Sequence, residues 1–370
     1  MTLALYRKYR PKILADLLGQ EMTVQILRNA ARENSLAHAY LFYGPRGTGK
    51  TTAARLVSKI VNCETRILNK EFQKGGEPCN QCRVCSEIDS GNGLDVIEID
   101  AASNRGIDEI RNLKEVARTA PISYPRKVFI VDEAHMLTGP AFNALLKTLE
   151  EPPPHVMFIL ATTEYEKLPA TITSRAQRFA FKKLDKETIM KKIAAICKAE
   201  GLKYEADALE LIAVAADGGL RDAESLLDQV HSSAPTITIK TVEEVIGRIG
   251  FKKLHEFAEL LVTKNLPLAI KYLGELNESG INIVQFAKDL IHYLRRILSL
   301  KMNPELEEMF NKELTREDIT DLRELGAMAE AEFFIKLIKA LISAYSDMRY
   351  SPFAIVPLEV TIIECLQSRS

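Results

Sequence analysis

The chain has no run of 18 apolar residues, no apolar leader and almost no net charge, and each absence removes a class of protein. Without a long apolar run, no helix of this sequence is expected to cross a bilayer. The start, Met1-Thr-Leu-Ala-Leu-Tyr-Arg-Lys8, lacks the apolar core of a secretory signal, so the expectation is a cytoplasmic protein with no membrane partner. A formal charge of −1, from 49 basic and 50 acidic residues, gives no global attraction to nucleic acid, and any such contact must come from a local basic surface. Arg7, Lys8, Arg10 and Lys12 form one such cluster, which a solvated face would explain equally well. What is present is ordinary for globular domains, 46% hydrophobic and 27% charged residues over 370 positions, enough for two or three domains.

Against this plain background one stretch carries chemistry. Gly44-Pro45-Arg46-Gly47-Thr48-Gly49-Lys50-Thr51 follows an apolar run, Ala39-Tyr-Leu-Phe-Tyr43, and precedes a helical pattern, and with the next residue, Thr52, it makes up the expected ATP-binding loop. Strand, glycine loop and helix in that order are the P-loop arrangement. The three glycines let the backbone curl until its N–H groups converge on a phosphate, and the helix N-terminus adds to the attraction. Lys50 is then expected at the β- and γ-phosphates of ATP and Thr51 at Mg2+. A chance glycine-rich turn would need neither the strand before it nor the helix after it.

A second phosphate signal lies in Lys127-Val-Phe-Ile-Val-Asp132-Glu133. An apolar run ending in two carboxylates reads as a buried parallel strand that delivers acids to the sheet's carboxyl edge. Asp132 is expected on the magnesium side, and Glu133, free of the metal, as the base that positions the attacking water. Around these motifs strand and helix alternate: Leu94–Ile99 and Val156–Leu160 as strands, Ile107–Arg118 and Phe142–Leu149 as helices, the last stopped by Pro152-Pro-Pro154. The fold class is therefore α/β, a doubly wound parallel sheet of P-loop type.

Cys63, Cys79, Cys82 and Cys85 stand in a short polar segment, about 62–92, that cannot bury a core of its own. Their spacing suits one tetrahedral four-thiolate zinc site, and Zn2+ would hold the insertion together. Free cytosolic thiols are the alternative, and a disulfide is disfavoured in a reducing compartment. Cys197 and Cys365 fall on apolar helical faces and read as core.

Tyr6-Arg-Lys-Tyr-Arg-Pro11 with Gly19-Gln20, the P-loop, the four cysteines, Asp132-Glu-Ala-His135, Leu145-Leu-Lys-Thr-Leu-Glu-Glu-Pro152, Ala161-Thr-Thr163 and Ser174-Arg175 occur in the order seen in one family. Over residues 1 to about 235 the chain resembles the gamma/tau clamp-loader subunits of bacterial DNA polymerase III, which are AAA+ ATPases. The resemblance implies an ATPase domain at 1–181, a three-helix lid at 182–240 and a helical collar at 241–370 through which subunits oligomerise. It implies that Arg175 reaches in trans into the ATP site of a neighbouring subunit, although Ala176 stands where the family's motif has Cys. It further implies that Thr163, or Thr162, and Arg221 sense the γ-phosphate, and that Arg10 and Pro11 border the base.

The same resemblance implies primed-template DNA as a ligand, with Asn104, Arg105 and Lys147 tracking its phosphates. Lys147 also fits a plain solvated lysine. Implied partners are the other subunits of a five-subunit loader, the sliding clamp and, through a longer form of the chain, the polymerase core and replicative helicase. Two other classes are weighed. A helicase, suggested by the literal Asp-Glu-Ala-His string, needs a second motor domain, and residues 182–370 show helical spacing, Asn282–Leu298 and Ala327–Tyr345 each reading as one helix, without strand-like runs. A scaffold with a structural nucleotide has no need for Lys50, Thr51, Asp132, Glu133 and Arg175 together.

Overall fold

Five short apolar runs become the five parallel strands of one sheet: β1 (Ala39–Tyr43), β2 (Val96–Asp100), β3 (Lys127–Asp132), β4 (Val156–Thr162) and β5 (Gln177–Ala180), ordered β2-β3-β4-β1-β5. The computed structural model describes residues 3–246, 251–279, 281–310, 314 and 316–367. Central strands β1, β3 and β4 are apolar almost throughout because both faces of the sheet are covered. Alternate residues serve opposite sides. Tyr40, Phe42, Val128, Ile130, Met157 and Ile159 face the helices Glu21–Arg32 and Lys50–Asn62. Leu41, Phe129, Val131, Phe158 and Leu160 face Ile107–Arg118 and Gly139–Glu150. The edge strands β2 and β5 keep polar residues among apolar ones, as one-sided burial allows.

Two buried polar side chains fasten the crossovers. Lys127, 2% exposed, donates from Nζ to the carbonyls of Val116, Thr119 and Ala120, closing the C-terminus of the helix Ile107–Arg118. Asp95, fully buried, accepts the N–H groups of Ile122, Ser123 and Tyr124, so the loop before β3 is pinned to the strand beside it.

Contacts divide the chain into two compact units, residues 1–196 with 216–228 and residues 197–215 with 229–370. The sheet belongs to the first. The second is helical, with Ile283–Met302 packed against Phe251–Val262, Arg316–Met328 and Ala331–Met348 around Phe257, Phe286, Leu290, Tyr293, Leu337 and Leu341. Two sequence expectations are corrected here. The expected single helix through Ala327–Tyr345 is two, because Lys301 Nζ donates to Gly326 O at 2.9 Å, which satisfies a last-turn carbonyl of the first, and Glu330 then starts the second. Residues past 182 are not free of strands: β6 (Lys203–Tyr204) and β7 (Thr236–Ile237) form a two-residue parallel pair in the second unit. Among the described residues that pair is the only sheet beyond β5, so no second motor-sized sheet accompanies the first. No described helix is long and apolar enough to cross a membrane.

Candidate nucleotide site

The glycine loop leaves β1 at the carboxyl edge of the sheet and runs into the helix Lys50–Asn62. Its shape depends on the missing side chains. Gly44 holds φ +143°, and a Cβ there would lie 2.1 Å from Phe181 O; Gly47, at φ +74°, would meet Asp222 and Gly219. Lys50 is 6% exposed, and its Nζ donates to Gly44 O (2.8 Å) and Pro45 O (2.7 Å). Burial pulls its pKa below the ordinary lysine value, while the charges of Glu133 and Asp132 pull the other way. Thr48 Oγ1 donates to Pro45 O, which ties the loop to itself.

In the sheet, β4 lies between β1 and β3, so the acids do not emerge directly beside the loop. That spacing leaves room at the strand ends. Across it Thr51 Oγ1 donates to Asp132 Oδ2 at 2.8 Å. The Asp132 carboxylate also accepts the Glu133 N–H at 3.0 Å. Glu133 takes φ +48°, an uncommon left-handed conformation for a residue with a side chain, and this turns its carboxylate away from the strand. Thr163 Oγ1 donates to Glu133 Oε2 at 3.0 Å. Between the two threonines left open by the sequence, the geometry is unequal: Thr163 meets Glu133, whereas Thr162 is fully buried and faces His135 Nδ1 at 3.0 Å.

Lys50, Thr51, Asp132, Glu133 and Thr163 are thus brought together. Arg221 approaches the same loop from the helix Leu220–Ser233: its N–H lies 3.5 Å from Gly47 O, and its guanidinium stacks over Tyr6 at 5.0 Å. Arg46 faces Asp222 at 3.9 Å. Arg10 is half-buried, its pKa lowered first by burial and then by Arg55, with Arg221 and Arg7 also repelling it and Glu98 opposing them. Such a gathering of guanidiniums suits a polyanion. Pro11 and Thr52 are half-buried on either flank.

Other expected residues stand apart. Arg175 lies just before β5, at the amino edge of the sheet, where its Nε donates to Glu150 Oε1 at 2.6 Å and its Nη1 to Thr171 O at 2.7 Å. Asn104 and Arg105 are exposed at the carboxyl end of β2, with Asn104 Nδ2 donating to Asp100 O. Lys147 is exposed near the end of the helix Gly139–Glu150, about 12 Å along its axis from the start near Arg105.

The four cysteines converge. Their Sγ atoms all lie within 4.8 Å of one another, and Cys79 and Cys85 are 4.0 Å apart. A tetrahedral four-thiolate zinc site needs sulfurs about 3.8 Å apart. Backbone N–H groups of Gln81 and Cys82 donate to Cys79 Sγ, and that of Cys79 to Cys63 Sγ, the pattern that stabilises thiolates. The Cys63 thiol is drawn down to about 4, first by a hydrogen bond from Cys85. The Cys85 thiol is pushed up, first by its contact with Cys63 and then by burial. The donor set fits zinc. Of the other two, Cys197 is fully buried and Cys365 is half-buried.

Sequence reading gave no role to His135 and Glu164, yet His135 Nδ1 lies 3.4 Å from Glu133 Oε2 and its Nε2 3.1 Å from Glu164 Oε1. The only available signal was position: His135 is two residues past Glu133, and Glu164 follows the threonine pair.

A parallel sheet with one strand inserted between the P-loop strand and the acidic strand, followed by helical segments, defines a P-loop protein of AAA+ type. Three sequence families match consecutive parts of the chain: "DNA polymerase III, delta subunit" over residues 19–185, "DNA polymerase III clamp loader subunit, ATPase lid domain" over 188–233, and "DNA polymerase III subunits gamma and tau domain III" over 237–370. The chain belongs to the gamma/tau subunit family of DNA polymerase III. It is 42% identical over 366 residues to DNA polymerase III subunit tau of Bacillus subtilis, covering 99% of this chain and 63% of that one. Identity is 36% to the tau subunit of Escherichia coli, covering 98% and 55%, and 33% to the gamma subunit of Buchnera aphidicola, covering 98% and 97%. The chain therefore spans less than two thirds of the tau relatives' length and nearly all of the gamma relative's.

Proposed function

We propose that this chain is the ATP-hydrolysing subunit of a clamp loader, which binds ATP to open a sliding clamp and hydrolyses it to leave the clamp on primed-template DNA. The observation that carries the reading is the 2.8 Å contact of Thr51 with Asp132 beside a Glu133 held by Thr163. A chain that only stored a nucleotide would not need a second carboxylate fixed off the metal. ATP with magnesium supplies a terminal phosphoryl group open to water. The loop N–H groups and Lys50 would neutralise the phosphate charge, and Thr51 and Asp132 are the residues that would hold Mg2+, which would supply further charge neutralisation at the phosphates. Glu133 orients and deprotonates a water, with Thr163 fixing its rotamer. Arg221 brings the helix Leu220–Ser233 against the loop, and Arg10 with Pro11 borders the base.

The domains are proposed at 1–181, 182–240 and 241–370, the last a collar for oligomerisation. Arg175 serves the site of a neighbouring subunit, and Asn104, Arg105 and Lys147 meet DNA phosphates. Zn2+ sits in the four-cysteine cluster as a structural ion in a cytoplasmic protein. Other loader subunits and the clamp are the immediate partners; polymerase core and helicase attach through the additional length of tau-like chains.

The test is ATP turnover in the assembled loader. Stimulation only when clamp and primed DNA are both present supports the motor; turnover indifferent to both overturns it. Glu133→Gln is expected to keep ATP binding while lowering turnover by roughly 10²- to 10⁴-fold. Unchanged turnover in that variant would assign the chain to the scaffold class.

A further inference from the structure

We propose that Glu77, carried by the four-cysteine insertion, is a positioning residue for the nucleotide, coupling metal in the cysteine site to the shape of the glycine loop. The inference rests on the ATP-binding reading above. The path is continuous in the first unit. Glu77 Oε2 accepts the Leu14 N–H at 2.7 Å and Oε1 the Ala15 N–H at 3.1 Å. These are the leading amides of the turn Leu14–Asp16, which has no capping side chain of its own. A carboxylate from 62 residues away does that work. Arg28 Nε stands 3.1 Å from Glu77 Oε1, an ion pair without hydrogen-bond alignment.

The turn delivers Leu17, 6% exposed, to the P-loop: a Cβ built on Gly49 would lie 3.3 Å from Leu17 Cδ2. Three residues on, the Gln20 side chain pairs with both backbone groups of Lys182, next to the Phe181 carbonyl that closes on Gly44. Residues 14–20 thus brace the loop from behind.

The other end of the path is the metal cluster. Cys63 ends the helix that Lys50 begins, and Glu77 is two residues before Cys79. Gly76, at φ +69°, lies so close to Arg28 O that a Cβ would sit 2.6 Å away, which fixes the approach of Glu77. Arg66 Nη1 donates to Ile60 O, adding a second tie between the insertion and the P-loop helix. Without metal the cysteine segment keeps only the small apolar cluster of Val84, Ile88 and Tyr124 as a core, and no ion ties Cys79, two residues from Glu77, to the other three thiols.

The experiment uses the full chain with three variants: Glu77→Ala, Glu77→Gln and, as a control in the same insertion, Glu71→Ala, whose partner Lys74 is exposed. Binding of a fluorescent ATP analogue is measured before and after zinc removal by a chelator, alongside amide exchange at Leu14 and Ala15. Glu77→Ala is expected to weaken binding roughly tenfold, the effect of leaving the amide of the buried Leu14 unpaired, to speed exchange at both amides, and to leave kcat in the assembled loader unchanged while KM rises. Glu77→Gln, retaining one good acceptor, should lose less, and Glu71→Ala nothing. Chelation should weaken wild-type binding by a similar factor and Glu77→Ala no further. Unchanged binding or unchanged exchange in Glu77→Ala overturns the proposal, as do losses that add on chelation. A wild-type chain that binds no ATP overturns the proposed function itself, and the exchange data then show whether Glu77 holds the turn.

Discussion

The two ends of the central sheet differ in how finished they are. At the carboxyl edge, Lys50, Thr51, Asp132, Glu133 and Thr163 contact one another or the loop, and each polar group finds its partner within the chain. At the amino edge, Arg175 has a motif's worth of sequence around it and binds Glu150, the Thr171 carbonyl and the Ser174 hydroxyl. Strand register explains why these ends cannot merge. β5 pairs with β1 from Tyr40 beside Gln177 to Tyr43 beside Ala180, so Arg175 precedes the strand's first residue and the loop follows its last. The separation is on the order of 15 Å at about 3.3 Å per residue, too far for one guanidinium to reach its own site. One end gathers a site; the arginine at the other is, in the function proposed above, a part for a neighbouring subunit's.

The sharpest way to break that contrast is Arg175→Ala. In the assembled loader, turnover is expected to fall by roughly 10³-fold or more, the range associated with an arginine supplied to a phosphoryl-transfer site. ATP binding by the isolated chain should be unchanged, because Arg175 contacts nothing at the carboxyl edge. Steady-state turnover of the complex and analogue binding by the isolated chain check the two halves. Weakened binding by the isolated chain would mean that the amino edge is not independent.

This contrast also marks how far the sequence could be read. The glycine loop and the acidic strand are legible because each function sits on consecutive residues, and the buried parallel strands announce themselves as apolar runs such as Val156–Leu160. The four cysteines are legible by spacing. Contacts between distant segments are not. Nothing local says that Thr163 rather than Thr162 meets Glu133, since adjacent strand residues alternate faces and only the end of β4 decides which points where. Glu77 is invisible for the same reason, its partners being 62 and 63 positions away. The split of Ala327–Tyr345 into two helices depends on Lys301, a residue of another helix.

A smaller effect tests whether the carboxyl edge is as fully satisfied as its catalytic residues suggest. Glu224, on the helix that carries Arg221, is 4% exposed, and its Oε1 has no hydrogen-bond partner among the described residues. Burial lifts its carboxyl to about 7, with Lys192 and Arg10 pulling the other way. Because the folded value lies above the ordinary one, the folded chain holds the proton longer than the unfolded chain. Stability is therefore highest below about pH 4.5 and is lost as pH rises toward 7, by on the order of 3 kcal/mol in total for this group. Glu224→Gln should flatten that part of the profile and stabilise the chain at pH 8. Denaturant unfolding of both chains at several pH values reads it out; parallel profiles would show that the carboxylate is ionised and paired.

The smallest expected effect belongs to Glu150, the partner of Arg175 at the amino edge. Arg175 is 34% exposed and Glu150 45%, so solvent screens the pair and it contributes roughly 0.2–1 kcal/mol. A contact that weak can be exchanged for a phosphate, to which a guanidinium bonds more strongly and in two places. Glu150→Gln should consequently change turnover of the assembled loader by no more than about fivefold, the factor that 1 kcal/mol allows, and leave the melting temperature nearly unchanged. An increase within that range would show Glu150 competing with the neighbour's nucleotide for Arg175. A loss approaching that of Arg175→Ala would reverse the assignment: Glu150 would then aim the arginine across the interface, and the amino edge would be as preorganised as the carboxyl edge.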